Sequence, residues 1–103
     1  MNINKIMKQA QQMQEQMAKI QEELANKTIE GSAGGGMVTA VASGDGKLVS
    51  ITIEQDVLAQ NDKEMLEDLI TAAVNSALDN AKNMAADEMK KVAGGLNIPG
   101  LSI

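Results

Sequence analysis

Histidine, cysteine, arginine and every aromatic residue are missing from this chain of 103 residues. Without cysteine there is no disulfide framework and no thiolate metal site, as suits a reducing cytoplasm. Without histidine as well, the commonest general base and the strongest nucleophile are both gone. No serine sits in a nucleophile-elbow pattern. The chain therefore reads as a non-enzyme, with no catalytic residue, metal ligand, cofactor or small-molecule substrate. Without Phe, Tyr or Trp, the core must be built from Ile, Val, Leu, Ala and eight Met. Aromatic side chains bury the most area per residue, so a core lacking them is thin, and oligomerisation is expected to supply the missing burial. No apolar run approaches membrane-spanning length, and Lys5 and Lys8 among glutamines break any signal-like apolar region. A soluble cytoplasmic protein is expected, with no membrane partner.

The net charge of −5 rests on nine Lys against fourteen acids. Taken whole it opposes nucleic-acid binding, which needs clustered cations. The distribution is uneven. Residues 1–27 sum to +1, residues 28–80 to −7 and residues 81–103 to +1, and the first 14 residues contain two Lys and no acid. The acid lies in the middle and the two ends are mildly basic.

What the chain has first is an apolar seam: Ile3, Ile6, Ala10, Met13, Met17, Ile20 and Leu24. Alternating steps of three and four are the heptad rhythm of a helix that lies along another helix. Six glutamines, Gln9, Gln11, Gln12, Gln14, Gln16 and Gln21, cover much of the remaining cylinder. The helix is predicted from about Asn2 or Asn4 to Asn26, roughly 36 Å long. The partner of the seam is either the chain's second helix or a second copy.

Thr28 to Ser32 then read as a short strand, and Gly34-Gly35-Gly36 as a bend or bulge. Asp45-Gly46 predicts a two-residue hairpin turn. That turn pairs Ala42 with Val49, Ala40 with Ile51 and Val38 with Ile53 on an apolar face. Val41 with Ser50, Thr39 with Thr52 and Met37 with Glu54 form a mostly polar face. The small Ala40 and Ala42 leave room for a helix. Asp56-Val57-Leu58 predict a turn with an apolar anchor. Asn61 or Asp62 should cap a second helix, with Asn61 and Glu64 as a capping box. Its core stripe is Leu66, Leu69, Ile70, Ala73, Val74, Ala77, Leu78 and Ala81. The pattern weakens through Met84, Ala85, Met89 and Val92 and stops at Gly94-Gly95. The expected fold class is α+β: an N-terminal helix, an antiparallel sheet of about three strands and a long or broken C-terminal helix. One dimerising domain spans residues 1–93, and an apolar tail containing Gly and Pro, loose or docked, spans residues 94–103.

Residues 31–36 lack the Gly-Lys-Ser/Thr ending of a phosphate loop and precede a strand, so they read as a bend. Glu64 and Asp68 lie one helical turn apart, a spacing that fits a cation, but they read first as complements to the helix N-terminus. Most Met residues occupy seam or core positions and read as gap-fillers ahead of an adaptable groove. Lys5 and Lys19 share one heptad position flanking the seam while Lys8 lies on another face. Taken alone they read as solvated surface.

Four segments in series resemble the YbaB/EbfC family of bacterial nucleoid-associated proteins. They are Met7-Lys8-Gln9-Ala10-Gln11-Gln12-Met13-Gln14, residues 30–38 (Glu30-Gly31-Ser32-Ala33-Gly34-Gly35-Gly36-Met37-Val38), Glu64-Met65-Leu66-Glu67-Asp68-Leu69-Ile70 followed by Ala72-Ala73-Val74-Asn75, and Gly94-Gly95-Leu96-Asn97-Ile98-Pro99-Gly100. The resemblance implies a homodimer whose sheets join and whose helices project like tweezer arms. It implies binding of double-stranded DNA with limited sequence preference within the nucleoid, serving chromosome organisation or gene regulation. The family's DNA contacts are attributed to the end helices, which here carry Lys5, Lys8, Lys19, Lys82, Lys90 and Lys91. Lysine neutralises phosphate but makes no bidentate fork to a base edge, so weak, strongly salt-dependent binding is expected. The competing reading is a dimeric protein–protein adaptor using the acidic middle, the Met seam and the apolar tail.

Overall fold

The structure, a computed structural model, describes residues 2–95, with side chains described as far as Val92. Helix α1 (Ile3–Ala25) leads into strands β1 (Thr28–Ala33), β2 (Val38–Ser43) and β3 (Leu48–Ile53). Short helix α2 (Gln55–Ala59) and long helix α3 (Lys63–Gly95) follow. The sheet is an antiparallel meander in the order β1-β2-β3. The α–β–α architecture expected from the sequence is what forms. The expected tail lies outside the described residues beyond Gly95.

Asn2 caps α1 by accepting the Lys5 amide at 3.3 Å. Gly34, Gly35 and Gly36 all take positive φ and turn β1 into β2, a conformation that glycine adopts without strain. Asp62 caps α3, its carboxylate accepting the Met65 amide at 3.1 Å. Asn61 instead sits at φ 51° as a linker residue, so the capping box with Glu64 does not form. The anchor turn is the short helix α2, which buries Val57 and leaves Leu58 outside.

The core is small-on-small. Val38, Ala40 and Ala42 of β2 meet Ala73, Ala77 and Ala81 of α3, all fully buried. Ile29, Ile53, Leu66, Leu69, Ile70, Val74 and Leu78 close around them. A Cβ on Gly31 would lie 2.1 Å from the Ala77 backbone nitrogen, so helix and strand touch backbone to backbone there. Asn80 strengthens the contact by donating to the Glu30 carbonyl at 2.9 Å.

Two expectations for the hairpin need correction. The loop holds three residues, Gly44, Asp45 and Gly46, because the Ser43 amide donates to the Lys47 carbonyl at 2.8 Å. The Ser43 hydroxyl bonds the Asp45 carboxylate and accepts the Lys47 amide, which favours this longer loop over the two-residue turn. Ala42 consequently pairs with Leu48, and a bulge at Val49 restores the expected pairing from Val41–Ser50 onward. The second correction concerns burial. Val49 is 57% exposed and Ile51 38% exposed, because α3 packs chiefly on β1 and β2 and barely reaches β3.

The seam of α1 is divided. Ile20 and Leu24 are buried, whereas Ile3, Ile6, Ala10, Met13 and Met17 are exposed. α1 meets α3 only near its C-terminal end, and its first four turns project as an arm. The molecule extends 69 Å along its longest axis with a radius of gyration of 19.8 Å, against about 13 Å for a compact chain of this length.

Candidate nucleic-acid interface

The six lysines expected to meet DNA are all solvent-exposed, and they fall into three places. Lys5 and Lys8 stand on the α1 arm, one turn apart. Lys19 and Lys91 share an open groove of about 300 Å³ between α1 and α3, lined also by Gln16, Ile20, Glu23, Glu88 and Val92. Lys82 and Lys90 lie on the exposed surface of α3 outside that groove.

Their electrostatic settings differ. The arm holds Lys5 and Lys8 with no acid in the first 14 residues. On α3, Lys82, Lys90 and Lys91 are interleaved with Asp79, Asp87 and Glu88, so residues 79–92 are neutral on balance. The groove is also mixed, since Glu23 and Glu88 stand beside Lys19 and Lys91.

Glu88 is the best-organised charge in the molecule. Its Oε1 accepts from Lys91 Nζ at 3.3 Å and from Lys27 Nζ at 3.4 Å, with the Glu88 side chain only 19% exposed. The hydrogen bond from Lys91, then that from Lys27, and then both positive charges hold its carboxyl below the ordinary value. This bridge fastens the link between α1 and β1 to α3. The three-residue spacing of Glu88 and Lys91 was visible on the helix. Lys27, 61 residues away from Glu88, carries no local signal of the contact.

Of the seam residues, Ile20 and Leu24 are structural, packed where α1 meets the body. Leu24 nests against Gly44, whose added Cβ would lie 2.6 Å from the Leu24 carbonyl oxygen. Ile6, Met13 and Met17 form a bare apolar stripe along the arm. Among the described residues no cluster of three or more carboxylates converges on a cation site. No described helix is long and apolar enough to cross a membrane. Glu64 and Asp68 are exposed on the first turns of α3, as complements to its N-terminus require.

Known proteins resemble this chain. A nucleoid-associated protein of Thermoanaerobacter pseudethanolicus is 63% identical over 100 residues, covering 97% of this chain and 90% of that one. A nucleoid-associated protein of Clostridium novyi is 56% identical over 101 residues, 98% of this chain and 89% of its own. The crystal structure of an uncharacterised Helicobacter pylori protein superposes with a TM-score of 0.68 at 23% identity, covering 93% of this chain and 97% of that one. That likeness establishes the shared fold. The profile of the YbaB/EbfC DNA-binding family matches residues 1–96, and the chain belongs to that family.

Proposed function

We propose that the protein is a homodimer that binds double-stranded DNA through backbone phosphates, with little base readout, and organises the chromosome within the nucleoid. The observation that carries the reading is the α1 arm: an exposed helical projection bearing Lys5 and Lys8 with no acid in its first 14 residues. Lysines there find phosphates at small electrostatic cost, whereas those on α3 compete with neighbouring carboxylates.

A second copy supplies what the single chain lacks. Strand β3 is a sheet edge whose Leu48, Val49 and Ile51 are exposed. A bare apolar edge is a template for pairing with another strand. Joining two β3 edges covers this surface and doubles the cations presented to one duplex. The names of the relatives, all nucleoid-associated proteins, support the DNA reading and the cellular site.

Gel retardation at two salt concentrations, combined with solution mass, tests the proposal. With about four to six phosphates neutralised, the log–log salt slope should be about −4 to −5. A monomer in solution, no retardation at low salt, or retardation insensitive to salt would overturn it. An intact dimer that ignores DNA at low salt points instead to the adaptor.

A further inference from the structure

The apolar stripe of the arm is bare in the single chain, and its borders indicate what can cover it. Met17, Met13, Ile6 and Ile3 are exposed by 46%, 41%, 52% and 65%, and apolar surface at that density marks a site of interaction. The positions that border the stripe most closely are Met7 and Gln14 on one side and Gln9 and Gln16 on the other. None is charged. Nothing beside the seam selects a charged partner, and nothing there repels a copy of itself. Lys5 and Lys8 lie farther round the cylinder.

The seam fits a second copy running the opposite way. In an antiparallel pair, Ile6 of one arm faces Met17 of the other, and Ala10 faces Met13. Every layer then holds one methionine, which adapts to its neighbour, and the small Ala10 is matched by a long side chain. A parallel pair sets Ala10 against Ala10 and leaves a void there. Charge agrees with the antiparallel choice. The first 14 residues carry two Lys and no acid, whereas residues 15–24 carry Glu15, Glu22 and Glu23 against Lys19. Opposed arms lay the cationic half of one over the anionic half of the other; parallel arms bring the two lysine-bearing tips together. The bare side chains of one arm amount to roughly 500 Å², so a pair covers about 1,000 Å², the lower limit of specific interfaces. Such a contact is weak at low concentration and forms when subunits gather on one duplex.

We propose that the α1 arm pairs antiparallel with the α1 arm of a second copy through Ile6, Ala10, Met13 and Met17. Lys5 and Lys8 stay outside the contact and keep their access to phosphate. With dimers joined at the β3 edge, a step that rests on the reading above, paired arms link dimer to dimer and present lysines to two duplexes.

Because the chain has no cysteine, single cysteines report the contact without background. A long-tagged chain with Ala10→Cys and a short-tagged chain with Met13→Cys should form a mixed disulfide under mild oxidation. It should form at least tenfold faster than the link between Ala10→Cys and Glu15→Cys, since Glu15 lies about 200° round the helix from Met13. It should also outrun the links between two Ala10→Cys chains or two Met13→Cys chains. Equal rates for all pairs overturn the proposal, and so do faster like-with-like links, which parallel arms would give. This cross-link reads the arm alone, whether or not the β3 edges join. Sedimentation of the cysteine-free chain is the second readout, and association should continue past the dimer as concentration rises. Met13→Asp should weaken that step at least tenfold and leave the dimer whole. The proposal falls if Met13→Asp leaves every association step unchanged. A dimer that Met13→Asp splits into monomers keeps the arm contact and removes the β3 edge from the dimer.

Discussion

The two halves of α1 carry one repeating pattern and meet opposite fates. Ile20 and Leu24 are 8% and 1% exposed, while Met13 and Met17, the next two seam positions, are 41% and 46% exposed. Nothing in their local sequence separates them. The difference lies in what stands opposite: Leu24 lies against Gly44 of the β2–β3 loop, whereas the arm has run past the body. A heptad seam specifies that a helix wants a partner. The length of the neighbouring element determines how much of that demand the single chain meets.

The sharpest way to break this comparison is to truncate one residue in each half. Leu24→Ala should cost about 2–5 kcal/mol, as fully buried leucines do when a cavity is left. Met13→Ala should cost less than about 0.5 kcal/mol, as substitutions at exposed sites usually do. Urea denaturation at fixed protomer concentration measures both, since a dimer's stability depends on concentration. Similar costs would mean that the arm is as firmly packed as the body.

The same contrast separates what was legible in the sequence from what was not. Periodicity read out both long helices, the alanine stripe and most of the β2–β3 register, because each is dictated by side chains close in sequence. The Val49 bulge was not legible, since it follows from the hydrogen bonds that Ser43 makes to Asp45 and Lys47. Alternation also placed Val49 and Ile51 in the core, although α3 leans on β1 and β2 and leaves them bare. Alternation gives a face; it cannot give the width of the helix layer laid on that face. For the candidate interface, the sequence already set Lys5 and Lys8 apart, since carboxylates interleave with the lysines of α3 and are missing from the first 14 residues. What the fold adds is that these two lysines stand on an exposed, projecting helix.

That ranking predicts unequal effects on DNA. Lys5→Gln with Lys8→Gln should flatten the log–log salt slope by about 2–4 in a dimer, at about one unit per phosphate contact. Affinity at low salt should fall about tenfold or more, for every sequence alike. Lys82→Gln, close to Asp79 on α3, should change the slope by less than about 1. Retardation assays over a salt series compare the two directly. A larger loss from Lys82→Gln would move the phosphate track from the arm to α3.

The smallest effect is expected just past the buried end of α1, where Glu88 of α3 holds Lys27 and Lys91. Its carboxyl lies below the ordinary value of 4.5. A depressed carboxylate contributes stability above its unfolded value and loses it as the pH falls through the lower folded value. Near neutral pH, Glu88→Gln should therefore lower Tm slightly. The gap should close as the pH drops below 4.5, and again in high salt, because Lys27 and Lys91 are 48% and 74% exposed and well screened. On DNA the same substitution acts with the opposite sign. It releases the ammonium groups of Lys27 and of Lys91, the latter in the groove with Lys19, and should raise affinity at low salt by at most about fivefold. A variant that melts earlier yet binds more tightly would show Glu88 tying the segment after α1 to α3 at the expense of cations otherwise free for phosphate. One that melts earlier and binds more weakly would show that DNA needs the joint itself intact.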